Sequence, residues 1–154
     1  MLSKTLVKEY ERLVRDLDHM AKGAIYRCIK VIRELALEAA ARNERRDRVE
    51  IRLCYLTDEH LSLALARNLV FGLGECIHPN ALYSTTKFDT SWVLSEIQAK
   101  YGKRTRYLVL GATKTLRALC EKLGCDFAHV SSVSELILAV KNIVPGPSAT
   151  RTSS

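Results

Sequence analysis

The sequence is poor in the features that mark nucleic-acid-binding and membrane proteins. It has one tryptophan, six tyrosines and three phenylalanines, and they do not alternate with basic residues, which disfavours stacking on nucleic-acid bases. No apolar run approaches the roughly 18 residues that span a bilayer, and the N-terminal residues lack the apolar stretch of a signal peptide. We therefore expect a soluble protein with no membrane partner and no direct nucleic-acid partner.

Disulfide-framework and zinc-ribbon spacings are also missing. The five cysteines are an odd number, and no two of them form a CxxC motif: Cys28, Cys54, Cys76, Cys120 and Cys125. Free thiols in or beside apolar segments are typical of proteins in a reducing compartment. We expect an intracellular protein.

Charge is present in modest excess. The formal net charge is +7, which favours an anionic partner. The densest basic run, residues 42–52, contains Glu44, Asp47 and Glu50 among its arginines. Mixed charge of this kind is typical of a solvated loop or helix end and disfavours a nucleic-acid surface.

Apolar residues recur at three- and four-residue spacing from Leu6 to Leu35, which predicts one long helix or two abutting helices. Further along, strands are predicted at 49–56, 82–84, 107–110 and 127–130. Helices are predicted from Thr57, as cap, to near Gly72, and at 90–101, 113–123 and 132–143, the last opened by the capping box of Ser132 and Glu135.

Strands that alternate with helices predict an α/β fold with a parallel sheet. We expect a single domain at 1–144, with a helical part at 1–48 and an α/β core at 49–144. Residues 145–154 should form a disordered tail. Ligand sites of parallel sheets lie at the carboxyl ends of strands, here Thr57, Lys87 and the turn 111–115. Trp92, near a helix start, is predicted to anchor the core.

Four segments are informative when taken together: ALARNLVFGLG at 64–74, ALYSTTK at 81–87, YLVLG at 107–111 and HVSSVSEL at 129–136. They resemble the C-terminal part of the Eyes absent domain, of the haloacid-dehalogenase superfamily. The resemblance extends from about Arg52 to Val140. It implies a haloacid-dehalogenase-like, three-layer fold around a parallel sheet.

The resemblance also implies protein-tyrosine phosphatase chemistry, with an aspartate nucleophile, a second aspartate as acid and Mg²⁺ to offset phosphoryl charge. Thr57 would donate a hydrogen bond to a phosphoryl oxygen, and Lys87 would neutralise charge on the phosphorylated intermediate. The alternatives are a helix N-cap for Thr57 and a solvated loop lysine for Lys87. Implied partners are Six-class homeodomain proteins and, for an active enzyme, phosphotyrosine proteins, with a transcriptional co-activator role in nucleus and cytoplasm.

Two motifs depart from the family pattern. Ala112 stands where the family has a metal-binding aspartate, and Lys114 adds a positive charge nearby, so Mg²⁺ binding is doubtful. The only candidate for the nucleophile motif contains Asp16, in RDLDHM at 15–20, but helical periodicity passes through this segment. We therefore interpret Asp16 as an ordinary exposed aspartate.

If Asp16 is not the nucleophile, the chain lacks the central strand that carries it in the family. Two sheet edges must then close on one another or accept a strand from elsewhere. A truncated product, a split domain and a paralogue that lost catalysis all fit this pattern. The sequence favours a catalytically impaired phosphatase domain that acts as a protein-interaction module; the alternative is an active Mg²⁺-dependent protein-tyrosine phosphatase.

Overall fold

The computed structural model describes residues 4–45 and 50–143, and in this part of the chain the fold is mixed α/β. The predicted tail at 145–154, the domain limits at 48/49 and 144, and Val49 lie outside the described residues. The elements in chain order are α1 (Lys4–Met20), α2 (Ala24–Glu44), β1 (Tyr55–Thr57), α3 (Leu61–Val70), a 3₁₀ turn (Pro79–Ala81), β2 (Leu82–Ser84), α4 (Thr90–Tyr101), β3 (Leu108–Gly111), α5 (Lys114–Leu123), β4 (Asp126–His129) and α6 (Val133–Ile143). No helix of the described ranges is both long and apolar enough to cross a bilayer.

The predicted N-terminal helical segment is confirmed as two helices with a short break between them. Lys22 and Gly23 have φ of 52° and 75°, which lie in the left-handed region and end the regular helical path. Asp18 is buried just before this break, and its carboxylate accepts a hydrogen bond from the Tyr26 N–H at 3.1 Å. One carboxylate thus supplies a partner to an otherwise unpaired N–H in the first turn of α2.

The strands form two separate parallel pairs. In one pair β1 runs beside β2 with Thr57 opposite Ser84, and in the other β3 runs beside β4 with Gly111 opposite His129. Parallel pairing is confirmed, but within residues 4–45 and 50–143 no ladder joins the two pairs. The prediction of one parallel sheet is corrected to two pairs, and the two edges do not close on one another by hydrogen bonding.

The strand predicted at 49–56 is much shorter in the structure. Only Tyr55–Thr57 pairs with a neighbour. Upstream, the Asn43 side chain donates to the Ile51 carbonyl at 2.9 Å and accepts from the Ile51 N–H at 3.0 Å. An amide side chain therefore takes the bonds that a partner strand would need. The strand at 82–84 is confirmed, and β3 and β4 each lie one residue away from their predicted limits.

Thr57 does not cap α3, contrary to the prediction. The helix begins at Leu61 after His60, has no acidic residue in its first turn, and ends at Val70, ahead of Gly72. The helices predicted around 90–101 and 113–123 are confirmed, with Asp89 and Thr113 as N-caps. Gly102 and Gly124 follow them with φ of 82° and 69°, a conformation that glycine adopts without a Cβ penalty.

The main apolar cluster lies on one side of the first strand pair. Side chains of α2, α3, the loop after α3 and β2 bury one another there, with Tyr55 of β1 packed against them: Ile29, Ala64, Leu73, Ile77 and Leu82. On the other side, the Lys100 ammonium of α4 donates to the Tyr83 hydroxyl at 3.1 Å. The α4 helix therefore contacts β2 on the side opposite the apolar cluster, whereas Leu56 of β1 is 38% exposed.

Trp92 does not anchor the core. Its side chain is 46% exposed and stacks on Phe88 with ring centroids 4.1 Å apart. The buried residues of α4 are Val93, Leu94 and Ile97, which occupy a different side of the helix.

Candidate functional site

The carboxyl ends of β1 and β2 carry a hydrogen-bonded set of hydroxyl residues. The Thr57 carbonyl accepts from the Thr85 N–H at 2.8 Å, and the Thr57 hydroxyl oxygen accepts from the Glu59 N–H at 3.2 Å. The Ser84 hydroxyl donates to the Glu59 carbonyl at 2.6 Å and lies 2.9 Å from that of Thr86. We define Thr57, Ser84, Thr85 and Thr86 as the hydroxyl cluster.

The Thr57 hydroxyl serves a local turn in this structure. Its lone pair holds the Glu59 N–H, while its own proton remains available to donate to a ligand oxygen. The arrangement is compatible with the hydrogen bond to a phosphoryl oxygen that the resemblance implies. The hydrogen bond to the Glu59 N–H also stabilises the turn after β1, so Thr57 has a structural role even without a ligand.

Lys87 lies in the exposed loop that follows β2, two residues after Thr85. Among the described residues no ion pair involves its ammonium group. The loop leads into Asp89, whose carboxylate accepts from the Trp92 N–H at 2.8 Å and starts α4. Lys87 therefore stands at the same strand ends as the hydroxyl cluster, with an ammonium group open to solvent.

The turn after β3 presents no carboxylate. Gly111 ends the strand, Ala112 is exposed, and the Thr113 hydroxyl accepts from the Leu116 N–H at 3.2 Å to cap α5. Lys114 is the first residue of that helix and is exposed. A methyl group and an ammonium group thus occupy the point where the resemblance expects a metal-binding acid.

Asp16 lies inside α1 and not at a strand end. Its carboxylate is 3.9 Å from Arg12, in an i,i+4 pair in which both side chains are largely exposed. Neither Asp16 nor the buried Asp18 has a hydrogen bond to Thr57 or Lys87. The segment that could have held the nucleophile motif is helical throughout 15–20.

The acids beside Thr57 do not make a donor set for Mg²⁺. Glu59 is held by Arg67 at 2.6 Å, and Asp58 is exposed. Within the described ranges, no group of three or more His, Cys, Asp or Glu side chains is arranged to hold a metal ion. A hard divalent cation needs several oxygen ligands, so the residues at these strand ends do not fit it.

Thiol chemistry is disfavoured at three cysteines. Burial raises the pKa of the Cys54, Cys120 and Cys125 thiols, and Cys120 has no exposed surface. The thiolate is the nucleophilic form, so a raised pKa leaves these groups as weakly reactive thiols at neutral pH. All five cysteines are free.

The structure brings Thr57 and the residues just before Lys87 together, but no hydrogen bond or ion pair among the described residues joins them to the turn at 111–115. Sequence reasoning selected Lys87 and missed Ser84, Thr85 and Thr86. Three consecutive hydroxyl residues at a predicted strand end were the signal that could have found them. Phe88 and Trp92 were missed as an exposed aromatic pair beside this cluster.

Comparison with known proteins gives a partial likeness. No family model matches the chain. Over 82 residues, or 53% of its length, the chain is 27% identical to "Protein phosphatase EYA3" of Mus musculus. The likeness to "Protein phosphatase EYA3" of Homo sapiens has the same identity over the same number of residues. The chain spans only 16% of the mouse protein and 14% of the human protein.

Proposed function

We propose that the chain forms an Eyes-absent-like domain, with limits near 1–144, that has lost the acids needed for phosphoryl transfer and acts as a protein-interaction module in transcriptional co-regulation. The fold would be of the haloacid-dehalogenase-like, three-layer type, and the alternation of helices with parallel-paired strands supports it. The 27% identity to a protein phosphatase over about half of the chain supports the family assignment.

The positions of the acidic side chains support the proposal that phosphoryl transfer is impaired. Asp16 lies on an exposed side of α1, whereas the ends of β1 and β3 present Thr57 and Ala112. Attack on phosphorus by an aspartate requires a carboxylate oxygen roughly 3–3.5 Å from the phosphorus atom, in the same pocket as the groups that hold the phosphoryl oxygens. A surface helix position paired with Arg12 does not meet that requirement.

Turnover of p-nitrophenyl phosphate with and without Mg²⁺ tests this proposal. We expect no metal-dependent turnover by the wild type, by Asp16→Asn or by the matched control Asp58→Asn, because no donor set for the cation is present. Mg²⁺-dependent turnover that Asp16→Asn abolishes would contradict the proposal and support the alternative, an active Mg²⁺-dependent protein-tyrosine phosphatase, for which phosphotyrosine proteins are the proposed substrates. Loss in Asp58→Asn alone would contradict it equally.

One observation favours phosphate binding by this chain, a property compatible with both the interaction module and the active phosphatase. The Thr57 hydroxyl and the exposed Lys87 follow the carboxyl ends of two paired strands. A hydroxyl donor and an ammonium group suit a phosphoryl anion. We expect Lys87→Gln and Thr57→Val each to weaken inorganic phosphate binding by about tenfold, the effect of losing one hydrogen bond to a charged group. Lys141→Gln on α6 is the control and should leave binding unchanged.

The partner class proposed for the module is the Six-class homeodomain protein, with nuclear and cytoplasmic localisation. Isothermal titration of this chain against a purified Six-class homeodomain protein tests it directly. Saturable binding that persists in Lys87→Gln would support an interaction surface separate from the phosphate-binding groups. Absence of binding at the highest soluble concentrations would remove this partner class.

A further inference from the structure

The helix α3 is apolar on all its sides. Its ten residues read LSLALARNLV, and Arg67 is the one charged residue among them. A helix that is apolar all round is usually buried all round. In this structure one side of α3 is covered, where Ala64 packs in the main apolar cluster with Ile29 and Leu82. The opposite side faces solvent, which suggests that another surface covers it.

The solvent-facing side of α3 exposes large apolar side chains. Each residue advances a helix by about 100°, so Leu63, Ala66 and Val70 lie within about 60° of one another and roughly opposite Ala64 and Asn68. Leu63 is 52% exposed and Val70 is 42% exposed, and Ala66 is exposed between them. We define Leu63, Ala66 and Val70 as the outer face of α3.

The outer face has no uncompensated charge beside it. Arg67 lies on one flank, and its guanidinium is 2.6 Å from the Glu59 carboxylate, so the arginine brings its own counter-ion. The other flank holds Ser62 and Leu69, which are exposed and uncharged. Another copy of the chain can therefore approach this face without the repulsion that a net charge of +7 causes elsewhere.

The pattern of the outer face is self-complementary. In a contact with two-fold symmetry, residue i of one copy meets residue j of the other, and residue j of the first meets residue i of the second. With the axis between Ala66 and Arg67, Leu63 of each copy meets Val70 of the other. Ala66 then lies at the crossing point, where its small side chain lets the two helices approach closely.

We propose that the outer face of α3 binds the same face of a second copy of this chain, with the two α3 helices antiparallel across a two-fold axis beside Ala66. The contact is small, because a ten-residue helix supplies fewer side chains than the roughly 20–30 residues per partner of a stable interface. The dimer is therefore weak and depends on concentration. This inference is independent of the proposed function.

A second exposed apolar stripe, on α1, does not suit a second copy. Leu6, Leu13 and Leu17 are exposed there, but Glu9 and Asp16 lie along one flank of the stripe. A two-fold axis beside Leu13 would place Glu9 of one copy next to Asp16 of the other, and like charges across an interface oppose association. The α1 stripe therefore provides a control surface on the same molecule.

Sedimentation velocity at increasing protein concentration tests the proposal. We expect the wild type to show a monomer–dimer equilibrium. Leu63→Glu should raise the dimer dissociation constant by at least about tenfold, because the two-fold axis repeats the lost apolar contact. Leu13→Glu is the matched control, since Leu13 is 51% exposed on α1, and it should leave the constant unchanged. Circular dichroism checks that both variants are folded.

A mixture of two variants tests both the partner and the register. Val70→Lys alone should weaken the dimer as Leu63→Glu does. In an equimolar mixture of these two variants, the introduced carboxylate faces the introduced ammonium group, while the second contact keeps its native leucine and valine. A mixed dimer should therefore form at concentrations where each variant alone is monomeric. Mixing would not repair a folding defect in either variant.

Three outcomes would overturn the proposal. The first is a wild-type chain that stays monomeric up to its highest soluble concentration. The second is a dimer that Leu13→Glu weakens as much as Leu63→Glu does, because association would then not be specific to α3. The third is a loss of dimer in Leu63→Glu and Val70→Lys that mixing does not restore, because the two-fold arrangement requires these positions to meet.

Discussion

At the residue scale, Asp16 and Asp18 lie only two positions apart in α1 but have different environments. Two residues correspond to about 200° of helix rotation, so Asp16 and Asp18 face nearly opposite directions. Asp16 is exposed beside Arg12 at 3.9 Å. Asp18 is 8% exposed and holds the Tyr26 N–H at 3.1 Å. The sequence shows both aspartates, but the burial of Asp18 depends on the break at Lys22 and Gly23, which brings Tyr26 back toward it.

This difference predicts unequal effects of the two alanine substitutions. Asp18→Ala should lower the free energy of unfolding by about 1 kcal/mol, the typical net contribution of one hydrogen bond. Asp16→Ala should change it by less than about 0.5 kcal/mol, as for exposed surface positions. Urea denaturation of both variants measures this, and equal losses would contradict the structural role of the hydrogen bond between Asp18 and the Tyr26 N–H.

Tyr55 carries a second residue-scale prediction. Its hydroxyl is buried without a hydrogen-bond partner, and burial raises the pKa of Tyr55 to about 12. Tyr55→Phe removes the unpaired hydroxyl and should raise the free energy of unfolding by about 1 kcal/mol. Tyr83→Phe, which removes the oxygen that accepts from Lys100 at 3.1 Å, is the matched control and should not stabilise.

The pH dependence of Tyr55 has a definite sign. Its folded pKa lies above the ordinary value of 10.0, so its contribution to stability is fully present below that value and is lost as pH rises through about 12. The Tyr55→Phe variant should lose less stability over this alkaline window than the wild type does. An identical alkaline slope in the two proteins would show that Tyr55 is not protected from ionisation.

At the scale of single elements, local signals account for most of the helix ends. Thr113 caps α5 through its hydroxyl at 3.2 Å from the Leu116 N–H, and Gly102 and Gly124 end α4 and α5 with positive φ. These interactions join residues within four positions of one another, so the sequence contains both partners. The strands differ, because β1 has only three residues and depends on β2 and on the Asn43 side chain for its limits.

The start of α6 gives an element-scale prediction. Hydrogen bonds from the Ser131 N–H and hydroxyl, at 2.6 and 2.8 Å, lower the pKa of Glu135. A lowered pKa means that this contribution to stability is present above the ordinary value and is lost as pH falls through the folded one. Glu135→Gln should therefore reduce stability near neutral pH and weaken its dependence on acid, as measured by urea midpoints.

Glu96→Gln on α4 is a suitable control for this experiment, because Glu96 is also an exposed helical glutamate. It should leave the acid dependence as in the wild type. If both variants behaved alike, the hydrogen bonds at Ser131 would not be the source of the effect.

At the scale of the whole molecule, burial separates the five cysteines into two groups. Cys28, Cys54 and Cys76 are partly accessible, whereas Cys125 is 9% exposed and Cys120 has 0% exposure. Their positions in the sequence give no hint of this division, since all five lie in or beside apolar segments. The packing of α5 against β4 and of α4 against the end of α5 decides it, since Gln98 of α4 donates to the Leu123 carbonyl at 3.0 Å and lies 3.3 Å from the Cys125 sulfur.

This division predicts an order of labelling by a thiol reagent. Cys28 and Cys76 should react first in native buffer, and Cys54 should follow more slowly because burial raises its pKa. Cys120 should react only with global unfolding, because its exposure requires the core to open. Mass spectrometry of alkylated peptides at increasing denaturant measures the order. Labelling of Cys120 as fast as that of Cys28 without denaturant would show that the α5 end opens locally.

The candidate site was only partly accessible to sequence reasoning. Thr57 and Lys87 could be selected because both lie near the ends of predicted strands and match the resemblance, but the hydroxyl cluster needed the pairing of Thr57 with Ser84 and Thr85. Trp92 was assigned to the core by its place near a helix start, whereas the structure places it against Phe88 on the surface. Its exposure depends on which side of α4 meets the strands, and no single-helix pattern specified that.

The sequence by itself determined most of the helices, the Ser132–Glu135 hydrogen bond that starts α6 and the absence of a carboxylate at position 112, because each of these depends on neighbours within one or two turns of chain. Only the tertiary structure decided that the strands of residues 4–45 and 50–143 form two pairs with no ladder between them, and that Asp18 is buried while Asp16 is not. The physical reason is that strand pairing and burial join residues far apart in the chain, so their outcome depends on all the other elements at once.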